Sequence, residues 1–158
     1  MTLTQGGEYL GLRTQQSFDI LVSNLRTWAT ANAPSADPGW LAGNAYAFTG
    51  VKWTLAFPIL SVWPTLRADP ALSAADQQTI ENWIVNWLVP PFPGTSAAQA
   101  VIPGGLDYWP NDLGYWADAT LMADAIRRSD NATFAFGIQR FYGALNQMLP
   151  DGSFPLAS

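Results

Sequence analysis

The sequence predicts an all-α fold built from helical hairpins. Apolar residues recur at helical spacing in several separate stretches. Pro and Gly clusters punctuate those stretches, and Ser, Asp or Asn stands where helices would begin. Helices of roughly 20 residues joined by alternating short and long loops suggest stacked hairpins.

Phe18, Leu21, Val22, Leu25 and Trp28 share one helical face, which predicts a first helix from about Glu8 to Ala31. Pro34, Asp37, Pro38 and Gly39 end it in a loop. A second helix is expected from about Gly43 to Leu66. Pro58 and Pro64 should kink it or close it early, because proline removes a backbone donor and crowds the preceding turn.

Ser73-Ala74-Ala75-Asp76 is a helix start, with a hydroxyl to cap a free N–H and a carboxylate in the positive first turn. Ile80, Trp83, Ile84, Trp87 and Leu88 then follow at amphipathic spacing, until Pro90-Pro91 and Pro93-Gly94 stop the run. Residues 89 to 110 read as a long loop rich in Pro, Gly and Ala, a kind that is usually functional or mobile.

Asn111 or Asp112 is placed to cap a helix over about 112 to 129, whose negative end Arg127 and Arg128 suit. Asp130 or Asn131 caps a last helix, where Phe134, Ile138, Phe141, Leu145 and Met148 recur at fours and threes. Asn131-Ala132-Thr133 matches a glycosylation sequon, but Asn is also favoured at caps. Asp151-Gly152 reads as a turn.

Composition narrows the function. The chain has 158 residues and is 49% apolar, enough for one domain with a core. Charged residues make up 12%, against a usual value of about 25%. Eight Trp and eight Phe supply either core or the flat platforms of a sugar cleft. A net charge of −5, a single Lys and scattered Arg argue against nucleic acid, which calls for clustered cations.

The same acidity counts against a polyanion unless a local cationic patch overcomes it. There is no Cys and no His, so disulfides, a thiolate nucleophile, a structural zinc site and the commonest general base are all missing. No metal or cofactor is called for. No apolar run reaches the roughly 18 residues of a membrane span. No signal peptide opens the chain, which suggests a mature periplasmic or secreted form, or a cytosolic protein.

Three blocks then carry a family resemblance. They are Gly50-Val51-Lys52-Trp53-Thr54-Leu55-Ala56, then Asn111-Asp112-Leu113-Gly114-Tyr115-Trp116-Ala117, and then Asn146-Gln147 through Gly152-Ser153-Phe154-Pro155-Leu156. In this order they resemble the alginate-lyase family of polysaccharide lyases. The resemblance implies an incomplete α/α toroid of antiparallel hairpins with a cleft for a uronic-acid polymer. It also implies β-elimination: a polar group neutralises the uronate carboxylate, a base takes the C5 proton and a Tyr protonates the leaving oxygen.

By position, Asn111 matches the family's first, structural Asn, and Tyr115 and Trp116 match its Tyr-Trp. Lys52 matches a basic residue that contacts substrate. Asp112 stands at the carboxylate-neutralising Asn, and Leu113 stands at the catalytic His. An ionised Asp there repels a uronate, whereas a protonated one donates a hydrogen bond. Leu113 exchanges no proton.

The resemblance therefore gives Asp112, Tyr115 and Tyr108 as catalytic candidates, and Asn111, Lys52, Trp109 and Trp116 as substrate-binding candidates. The competing reading makes Tyr115 and Trp116 core residues of their helix and Asp112 its cap. The family's catalytic Arg and a further Tyr follow the third block, past Ser158, and five helices are too few for the toroid. Residues 1–158 are thus expected to form the N-terminal portion of one toroid domain, with loop 89–110 near the cleft. The chain is then expected to be either a fragment or one of two polypeptides, separated by proteolytic processing, that together make the toroid.

Two other functions fit the same toroid. One is a two-chain hydrolase or amidase, with Asp112 orienting a nucleophile from the partner's N-terminus. The other is a non-catalytic carbohydrate-binding protein, since fold alone does not fix function.

Overall fold

The computed structural model describes residues 3–33, 45–88 and 112–152, and of residues 3–4, 45–53, 112–115 and 144 the backbone alone. The described chain is all-α, with no strand among those residues. It forms two compact units, Met1–Pro90 and Pro91–Ser158.

The first unit holds α1 (Leu3–Leu12), α2 (Gln15–Thr30), α3 (Ala45–Arg67) and α4 (Ala74–Trp83), which runs on into a π-helical turn at Ile84–Leu88. The expected single helix from Glu8 to Ala31 is in fact two. Arg13 adopts a left-handed backbone (φ 50°) and its N–H bonds the Tyr9 carbonyl, closing α1. Thr14 then caps α2, its Oγ1 accepting from the Ser17 N–H at 3.1 Å. A left-handed residue also ends α2, at Asn32 (φ 47°).

Contacts fix the directions of these helices. Tyr9 meets Phe18, and Asn24 donates to Gln5, so α1 and α2 are an antiparallel hairpin. Along α1, Gly6 faces Val62 and the Tyr9 hydroxyl donates to Asp69 just past α3, at 2.7 Å. The two sets of positions advance together, so α1 and α3 run parallel. Likewise Arg26 pairs with Asp76, while the Trp83 indole donates to the Ala33 carbonyl at 3.0 Å, so α2 and α4 run parallel. The first unit is thus two stacked hairpins, with odd helices in one layer and even helices in the other.

Its core takes Tyr9, Phe18, Leu21, Val22 and Leu25 from the first hairpin and Ile59, Leu60, Trp63, Leu66, Ile80, Trp83 and Ile84 from the second. Trp28 and Trp87, read as part of the same faces, are half-buried. The Trp63 indole donates to Glu81, tying α3 to α4.

Pro58 and Pro64 do not close α3, which continues to Arg67. Flanking residues keep helical bonding, with the Ser61 hydroxyl donating to the Phe57 carbonyl at 2.8 Å. Burial of Ala56, Ile59, Leu60, Val62, Trp63 and Leu66 outweighs the lost donors. Ser73 caps α4 as expected, accepting from the Asp76 N–H at 3.0 Å.

The second unit carries α5 (Asp112–Arg128) and α6 (Asn131–Leu145). Ser129 (φ 57°) turns the chain, and the Asp130 N–H bonds the Ala125 carbonyl at 2.8 Å. Asp130, one of the two expected caps, caps α6 by accepting from the Thr133 N–H and hydroxyl. Thr133 is buried, so the hydroxyl of the sequon serves the helix. Gly137 seats against Met122, and Arg140 against Asp118; both pairs lie nearly symmetrically about the turn, so this hairpin too is antiparallel.

The apolar stripe read along α6 lies outward. Ile138 and Phe141 are exposed, Phe134 is half-buried, and exposed Met148 lies beyond the helix end. The face turned to α5 is instead Thr133, Gly137 and Arg140, where a glycine permits close approach. Gly152 (φ 83°) makes the expected turn. The long loop 89–110, the loop prolines at 34 and 38, and the third block beyond Gly152 lie outside the described residues.

Candidate functional site

Of the candidate residues, Asp112, Tyr115 and Trp116 lie in the opening turns of α5. Asp112 is the first residue of that helix and Tyr115 the fourth. Positions three apart share a helical face. The backbone therefore places both at the end where free N–H groups and the helix dipole favour negative charge. Leu113 lies in the same turn.

Trp116 follows, half-buried, its carbonyl accepting from the Thr120 hydroxyl at 2.7 Å. It is neither a fully buried core residue nor an open platform. Ala117, Thr120 and Leu121 are buried and give α5 its packed face. Tyr108, Trp109 and Asn111 lie outside the described residues. Lys52 belongs to α3 of the first unit.

The sequence reading passed over the charges behind this turn. Asp118, one helical turn past Tyr115, is 6% exposed and accepts from Arg140 Nε at 3.0 Å. Burial pushes its carboxyl above the ordinary range, and the Arg140 guanidinium opposes that. Asp124 is buried farther along and accepts from Arg127 Nε at 2.8 Å and Arg128 Nε at 2.7 Å. Arg127 and Arg128 thus end the helix, as read, but are also bound to a carboxylate inside it. The signal for Asp118 and Arg140 was their near-symmetry about the 129–130 turn, which no one-helix pattern displays.

Elsewhere, Tyr9, Asp69 and Arg13 form a second polar cluster. The Arg13 guanidinium lies 5.1 Å from the Tyr9 ring centre. Burial and the Asp69 carboxylate raise the Tyr9 phenol, while the hydrogen bond from Tyr9 holds Asp69 low. It fastens α1 to the end of α3. Among the described residues, no group of three or more His, Cys, Asp or Glu could hold a metal ion. None of the described helices is long and apolar enough to cross a membrane.

A family model described as alginate lyase matches residues 19–158. The chain belongs to the alginate lyase family. No curated protein and no solved structure matches it. The match takes in α3 with Lys52 and the whole of α5, so both the first and second sequence blocks fall inside the alginate lyase region. Stacked antiparallel hairpins, seen within the first unit, are the building blocks of the helical toroid expected of this family.

Proposed function

We propose that this alginate lyase family member cleaves a uronate-containing polysaccharide by β-elimination, with the chemistry at the N-terminal end of α5. One observation carries the reading. Asp112 and Tyr115 share the face of a helical first turn inside the family match. That end of a helix favours an anionic group.

The roles follow from residue chemistry. The helix end favours one negative charge, which the bound uronate brings; Asp112 and the uronate carboxylate are assigned one shared proton, and the hydrogen bond between them makes the C5 proton easier to remove. Leu113 cannot take that proton, so Tyr115 is assigned the role of base. The C5–H pair becomes a C4–C5 double bond as the C4–O bond breaks, and Tyr108 protonates the departing oxygen. Asn111, Trp109 and Trp116 are assigned to hold sugar rings by amide contacts and flat apolar faces. Lys52 is assigned a substrate contact because its block matches the family.

The reading also includes a second polypeptide carrying further helices. The exposed stripe of Ile138, Phe141 and Tyr142 on α6 supports it. Native mass spectrometry of source material is expected to give a complex heavier than 17.2 kDa, and a lone species of that mass would count against a partner. A polymer too large to enter a cell places the work in the periplasm or outside the cell.

The product has an unsaturated uronate that absorbs in the near ultraviolet. A rise over a panel of uronate polymers is expected, and a flat trace with every polymer would remove the reading. Leu113 favours one other outcome, polymer binding without turnover. Retained binding with a flat trace would establish it.

A further inference from the structure

Asp118, which is buried, and Arg140, which is half-buried, are a charge pair with no part in the chemistry assigned above. Their side chains are 9% and 15% exposed, and they meet at 3.0 Å across the α5–α6 hairpin. A buried ion pair costs desolvation that its attraction barely repays, so it is poor at stabilising a fold but good at fixing one register. Its place on α5 is informative. Asp118 lies three residues past Tyr115 and six past Asp112, on the side of the helix nearest the candidate site. The contacts of Asp124 with Arg127 and Arg128 stay within α5, at its opposite end. Gly137, one turn from Arg140, holds the two helices close at Met122.

We propose that the Asp118–Arg140 pair is a positioning device that fixes the first turns of α5 and so aims Asp112 and Tyr115 at the substrate. The inference rests on the lyase reading for its catalytic consequence, and on geometry alone for the ordering of the turn. Misplacing a reacting group by about 1 Å can cost about a hundredfold in rate.

The experiment compares Asp118→Asn, Arg140→Gln and the control Arg128→Gln in the full chain. It uses turnover of a uronate polymer and amide hydrogen exchange. Asp118→Asn and Arg140→Gln are each expected to lower kcat by about ten- to a hundredfold with KM little changed. Amide exchange should quicken over residues 115–117, the first paired N–H groups of α5, and not at its far end. Arg140→Lys should recover part of kcat, and Arg128→Gln should leave kcat unaltered.

Unchanged exchange over 115–117 in a folded Asp118→Asn protein would overturn the proposal whatever the activity. Faster exchange with full kcat would overturn its catalytic half. Should the single variants not fold, Asp118→Leu combined with Arg140→Met restores an apolar contact without the charge tie. Reduced kcat in that protein supports the proposal, and wild-type kcat overturns it. A wild-type protein without turnover removes the lyase reading, while exchange still decides whether the pair orders the turn.

Discussion

In the proposed elimination the base is Tyr115, a phenol in the first turn of α5, because Leu113 carries no proton. Tyr115→Phe should lower kcat by about 10²- to 10⁴-fold, measured as the initial rate of absorbance rise, with a melting temperature near that of the wild type. An unaltered rate would move the base elsewhere. A second prediction concerns carboxylates that fasten structure. Asp69 is held low chiefly by the Tyr9 hydroxyl, and Asp130 chiefly by the Thr133 backbone N–H. A depressed folded-state carboxyl adds stability that is present above the ordinary value of 3.8 and is lost as pH falls through the folded value. Asp118 acts in the opposite sense, since its raised carboxyl costs stability once ionised. Thermal melts should therefore fall as pH drops below 3.8, and Asp69→Asn and Asp130→Asn should each flatten that fall. Equal slopes in wild type and variants would remove these two residues from the account.

Elements show how far local pattern reaches. The faces of α2 and α4 were legible because each helix packs through the same apolar residues that give it its period: Phe18, Leu21, Val22 and Leu25, then Ile80, Trp83 and Ile84. The break between α1 and α2 was not legible, because it rests on a left-handed Arg13, a conformation that Arg does not advertise. The buried face of α6 was not legible either. Its regular apolar stripe drew attention, yet the contact with α5 uses Gly137 and Arg140, which periodicity ignores. Gly137→Ala tests that contact directly. An added methyl would overlap Met122 Cγ and stand 3.1 Å from its Sδ. Denaturant melts should show a loss of about 1–3 kcal/mol, and no loss would mean the two helices are not closely seated there.

For the whole molecule, a net charge of −5 sets long-range behaviour. Protein and uronate polymer repel, and salt screens that repulsion over roughly 10 Å at 0.1 M. KM for a uronate polymer should therefore fall as salt rises from low to physiological strength. A rising KM would point to a local cationic patch that dominates approach. The family was readable from three ordered blocks that all fall within the matched residues, and the helical class from apolar periodicity. The charge pair behind the site was not readable, because its two residues meet only after the hairpin closes. Elimination at the start of α5 is best tested by near-ultraviolet absorbance of uronate polymers incubated with the wild type and with Tyr115→Phe. A rise with the wild type that all but disappears in the variant is predicted. A flat wild-type trace, or equal rises in both proteins, would contradict the claim.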